Sequence, residues 1–156
     1  MQKRRLLGIL LWVLALGWVA VLFVLSGQSG AASSDLSMRF TRLVLRMLPF
    51  LDISAAALEP VLRKLAHGGI FAVEGFLLGM AAMHSLGRGR GFCLAAPACG
   101  LMAVFNELHQ MYSPNRSCEL RDMGIDFAGA LAGICAAWLI LLFIDKLSRL
   151  RVTNAG

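Results

Sequence analysis

The 156-residue chain is short of charge: Lys, Arg, Asp and Glu make up 15% of it, against about 25% in soluble domains. Apolar residues make up 58%, and mean hydropathy is +0.73. That excludes a disordered chain. It also excludes an ordinary water-soluble globule, because a domain this small has too little interior to hide so much apolar surface. Cysteine is sparse. Cys93, Cys99, Cys118 and Cys135 form no CxxC pair, and three of them lie in apolar stretches, so neither a zinc knuckle nor a disulfide framework is indicated. No internal repeat of the kind transporters use is visible. Fifteen cations face nine anions, for a net charge of +6. In a soluble protein that balance would raise nucleic acid as a partner. In a membrane chain it points to anionic head groups instead, and no nucleic-acid partner is expected.

Four apolar stretches remain, each near the 20 residues that a bilayer demands. Residues 6–25 carry no charge and follow Lys3-Arg4-Arg5. They are too long for a signal-peptide core of about 7–15 residues, so they read as a retained span. Residues 65–83 contain His67 and Glu74; residues 92–112 are cleanly apolar only to Phe105 and contain Pro97, a place for a kink; residues 123–144 contain Asp126. The predicted architecture is all-α: a single-domain integral membrane four-helix bundle over residues 1–156. The segments 1–5, 84–91 and 145–156 hold Lys3, Arg4, Arg5, Arg88, Arg90, Lys146, Arg149 and Arg151. The positive-inside rule then puts both termini in the cytoplasm. Between the first two spans, residues 26–34 read as a small polar loop. Asp35 reads as the cap of an amphipathic helix over 36–48 that ends at Pro49. Leu36, Phe40, Leu43, Val44 and Met47 share one face and Arg39, Arg42 and Arg46 another. This is the pattern of a helix lying in the membrane interface. Its arginines either snorkel to water or meet anionic lipid heads.

The scarce polar residues inside the spans carry the information, because burying them costs several kcal/mol unless they are paired or wet. Lys64, His67, Phe71 and Glu74 fall on one face of the second span. Asn106, His109 and Gln110 share a face of the third, with Glu107 adjacent. Asp122 and Asp126 are one turn apart on the fourth, in a stripe that continues through Gly129 and Gly133. With the N-terminus inside, all these ends except the deeper Glu74 lie at one level of the outer leaflet, joined by the turn that contains Arg116. Gly75-x-x-x-Gly79 and Gly129-x-x-x-Gly133 read as close helix-packing sites.

The motifs Lys64-Leu-Ala-His67, Asn106-Glu107-Leu-His109-Gln110, Pro114-Asn-Arg116 and Asp122 through Gly129 together resemble the VanZ-like family of small bacterial membrane proteins. Order and spacing match over about residues 60–135. The resemblance implies a multi-pass plasma-membrane protein of the cell envelope with a family link to glycopeptide resistance, teicoplanin above all. It implies no settled biochemical activity. Asn106 stands where many relatives have Asp, which takes one carboxylate from any two-carboxylate mechanism at that position.

Several chemistries fit the residues. In a lipid-phosphate enzyme, His109 or His67 would be base or nucleophile and Glu107 or Asp126 would orient it. Lys64 and Arg116 would hold a phosphate, with Gln110, Asp122 and Asn106 completing the ligand site. A binding protein would use the same residues without turnover, on membrane lipids such as a polyprenyl phosphate or a glycolipid. A small transporter, or a purely structural polar cluster that fixes helix packing, are the alternatives. No cofactor is predicted. A divalent metal on His67, Glu107, His109 and Asp126 has the right ligand types, but Glu-x-His is no recognised zinc spacing, and no metal ligand is assigned. Oligomeric state is not legible.

Overall fold

The computed structural model describes residues 2–114 and 118–153. They form five helices: α1 (Gln2–Ser26), α2 (Gly30–Met47), α3 (Ala55–Leu86), α4 (Arg88–Gln110) and α5 (Leu120–Thr153). All but α2 are long and apolar enough to cross a membrane.

The predicted spans are the cores of longer helices. At about 1.5 Å rise per residue, the 32 residues of α3 run well past a hydrocarbon layer of about 30 Å. Its first turns, which contain Pro60, therefore reach the interface. Ser54 caps it by accepting the Ala57 N–H at 3.3 Å, a standard use of serine at a helix start. Gly87 closes it with φ of +85°, a left-handed backbone that glycine adopts at little cost. The chain turns straight into α4, and α3 and α4 run antiparallel.

The α3–α5 seam is the tightest in the bundle. A Cβ on Gly129 would collide with the Gly68 carbonyl, and one on Gly133 with the Ala72 carbonyl. The two backbones therefore touch, as small residues permit where lipid supplies no hydrophobic drive. Phe71, Cys99, Ala103, Ala130 and Ile134 fill the core beside this seam. α1 lies across α3 and α4, where the Trp18 indole N–H donates to the Ile70 carbonyl at 3.0 Å and that of Trp12 donates to Ser85 Oγ at 3.0 Å. Only Ala15, Leu22 and Ser26 of α1 are buried. Leu6, Ile9, Val13 and Leu16 lie on the outside, where a bilayer is the solvent.

Three contacts orient the bundle. His84 Nε2 lies 3.1 Å from the Arg4 carbonyl, and Arg88 pairs with Asp145. At the opposite end the Gly30 N–H donates to the Pro114 carbonyl at 3.0 Å. The basic start of α1 and the late turns of α5 therefore share one end, and α2 sits at the other.

One expectation changes here. The small polar stretch before Asp35 is helix from Gly30, capped by Ser29, whose side chain accepts the Ala32 N–H at 3.3 Å. Asp35 is not the cap. It sits in the second turn and pairs with Arg39 at 2.9 Å, one helical turn on. Ala, Ser and Gly clustered in sequence signal a loop, yet a cap that satisfies the first donors lets the helix start among them. The face of α2 that turns inward is small and polar. Gly30 and Thr41 are buried, and Ser34 accepts from Arg63 Nη1 at 3.2 Å. The apolar Leu36, Phe40, Leu43 and Met47 face outward, as expected for a helix lying against lipid.

Candidate functional site

Helical spacing builds two rungs across the α3–α5 seam. Lys64 and His67 are three residues apart on α3, and Asp122 and Asp126 four apart on α5, so each pair projects along one face. Lys64 Nζ lies 3.3 Å from Asp122 Oδ1, with both side chains about one-third exposed. One turn deeper, His67 Nδ1 lies 3.8 Å from Asp126 Oδ1. That is charge proximity rather than a hydrogen bond. Asp126 is fully buried, and its other oxygen accepts from Asn106 Nδ2 at 3.3 Å. Three helices thus meet on one carboxylate.

Glu107, also buried, does a different task. Its Oε2 accepts the Glu119 N–H at 3.1 Å, and the Glu119 carbonyl in turn accepts from Asp122 and Met123. Glu107 therefore fixes the entry of α5 and with it the height of Asp122 and Asp126. Glu74, about 15 Å below Lys64 at 1.5 Å per residue, is buried, and neither of its oxygens has a hydrogen-bond partner among the described residues.

These groups border a polar cleft of about 380 Å³, lined by Lys64, His67, Gln110, Asp122 and Asp126 together with Glu59, Arg63 and Glu119. The last three were not anticipated. Glu59 and Arg63 sit at i, i+4 immediately before the Lys64 motif, and that spacing was the available signal. Among the described residues the lining holds four carboxylates, two fixed cations and one imidazole, so it is of mixed charge rather than simply cationic.

A second, apolar chamber of about 410 Å³ lies beside the cleft, walled by α1, α2, α3 and α4. Leu22, Leu36, Phe40 and Ile70 are in its wall. Arg63, His67 and Gln110 line both spaces. Polar cleft and apolar chamber therefore meet at three residues.

His109 is not brought to the cleft. Its ring stands edge-on to Phe23 of α1, with centroids 5.5 Å apart, and Nδ1 lies 3.4 Å from Ser26 Oγ. The reason is helical phase. At about 100° per residue, Asn106, Gln110 and Glu107 fall within one quadrant or so, all buried. His109 falls on the flank that α1 covers. The proposed ligand set His67, Glu107, His109 and Asp126 is thereby divided, and no group of three or more metal-binding side chains converges among the described residues. Arg39, Arg42 and Arg46 are exposed on α2 and line neither space. Arg116 lies outside the described residues.

No curated protein and no solved structure matches the chain. A family model described as VanZ/LLP1 matches residues 11–143, a stretch that takes in every residue named around the cleft. With its four membrane-crossing helices and this match over most of its length, the chain is a membrane protein belonging to the VanZ/LLP1 family.

Proposed function

We propose that the cleft binds the head of an envelope lipid at the outer leaflet of the bacterial plasma membrane, with both termini cytoplasmic. The observation that carries this reading is the pair of rungs, Lys64–Asp122 above His67–Asp126, held open as a polar cleft at the end of the bundle away from Lys3, Arg4 and Arg5. Polar groups at membrane depth are costly and serve a site far more often than chance. Arg63 and Lys64 suit a phosphate, while Glu59, Glu119 and Asp122 suit hydroxyl donors. The mixed lining favours a head that has both, such as a sugar on a polyprenyl phosphate or a related glycolipid, over a bare anion. A protein that holds such a wall precursor would change its access to a glycopeptide such as teicoplanin, which connects the site to the resistance associated with VanZ-like proteins.

A second reading, turnover, rests on one specific observation. His67 is the imidazole on the cleft, and buried Asp126 stands beside it as an orienting carboxylate would. The experiment that separates the two uses the protein in nanodiscs with decyl phosphate and a decyl phospho-sugar. A binder retains the phospho-sugar more tightly than the phosphate and returns it unchanged. An enzyme releases sugar or phosphate, and His67→Ala stops that release. Equal, weak retention of both probes by the wild type and by Lys64→Ala would overturn the reading.

A further inference from the structure

We infer that the apolar chamber takes the hydrocarbon tail of the same lipid whose head occupies the cleft, so that the protein withdraws one chain from the bilayer and holds it beneath α2. The inference rests on the reading of the cleft given above and adds where the rest of the ligand goes. Three observations carry it.

The first is continuity. Arg63, His67 and Gln110 border both spaces, so a molecule with its head at the Lys64 rung has its first tail atoms at the mouth of the chamber. The second is size and chemistry. At about 410 Å³ the chamber lies in the range of ligand sites, about 300–1,000 Å³, and the surface it presents is mostly apolar, although serine and amide side chains share the lining. The third is how α2 is set. Its small polar stripe, including Ser34 and Thr41, turns toward the bundle, while Leu36 and Phe40 are over half exposed and also form chamber wall. A helix that buries Thr41, half-buries its serines and leaves Leu36 and Phe40 at an opening is arranged to meet hydrocarbon on that side. The tail gains little by leaving one apolar medium for another, so the chamber acts on shape: it admits one chain of limited bulk and fixes the head's depth at the two rungs.

The test uses a decyl phospho-sugar with a photoreactive diazirine in mid-tail, on the full-length protein in nanodiscs. Ala66 is exposed and lines the chamber, so Ala66→Trp fills the space without disturbing the core. Ser37→Phe does the same from α2. The expected result is tail labelling at Leu22, Ile70 or Phe40 in the wild type, and at least a tenfold loss of retention in both variants. A short ethyl phospho-sugar, whose tail cannot reach the chamber, should bind wild type and Ala66→Trp alike. Labelling confined to lipid-facing Leu6, Ile9 or Val13, or unchanged retention of the decyl probe in both variants, would overturn the tail placement alone. If neither probe binds the wild type, the reading of the cleft falls, and the tail placement with it.

Discussion

His67 Nδ1 lies 3.8 Å from Asp126 Oδ1 across the α3–α5 seam, and the far oxygen of the same fully buried carboxylate is held by Asn106 of α4. Asp126 is therefore the point at which three helices of the bundle agree on their relative height.

Asp126→Ala should destabilise the fold. It strips the Asn106 amide of its partner in a buried place, and each such orphan costs about 1–3 kcal/mol. Asp126→Asn keeps an acceptor there and should retain the fold. Thermal unfolding in a fixed lipid environment checks this. A midpoint for Asp126→Ala equal to that of the wild type would show that the carboxylate does not organise the bundle.

The outer rung should behave differently. Lys64 and Asp122 are each about one-third exposed, and pairs of that kind contribute at most about 1 kcal/mol. Lys64→Ala should leave the unfolding midpoint nearly unchanged while weakening phospho-sugar retention at least tenfold. Exchanging the pair, Lys64→Asp with Asp122→Lys, should restore the ion pair but not retention.

The two histidines should separate. His109 packs on Phe23 and Ser26, away from the cleft, so His109→Gln should cost a little stability and leave lipid retention intact. His67→Ala should lose retention with the fold preserved. The reverse outcome would place the site on the α1 side of α4.

Much of this was legible beforehand. The four spans follow from apolar length, and α2 from its 3.6-residue pattern. Lys64, His67, Asp122 and Asp126 meet because two stripes of fixed spacing had no other way to avoid lipid. What was not legible depended on neighbours. α4 is in contact with α1, α3 and α5, so side chains one or two positions apart on it meet different helices, and periodicity does not say which. His109 was lost to α1 for that reason. Which side of α2 meets the bundle was not legible either, because amphipathicity shows which side is apolar, not whether protein or lipid covers it. Arg63 went unnoticed because its partner, Ser34, is 29 residues away and carries no charge.

The seam itself is testable. Gly133→Val places side-chain atoms where the Ala72 carbonyl of α3 already lies. Overpacking of this kind costs about 1–3 kcal/mol or more. The variant should show a sharply reduced yield of monodisperse protein in size-exclusion chromatography. The same change at Gly17, whose Cβ would meet nothing within 4 Å, should have little effect. Equal yields would mean that the α3–α5 backbones do not touch.

The most direct test of the central claim is native mass spectrometry of the protein released from its own membranes. The account predicts one retained lipid per wild-type chain, with a mass that fits a head bearing both phosphate and hydroxyls, and a bare chain for Lys64→Ala. A bare wild-type chain over a broad panel of envelope lipids, or the same lipid on both proteins, would contradict it.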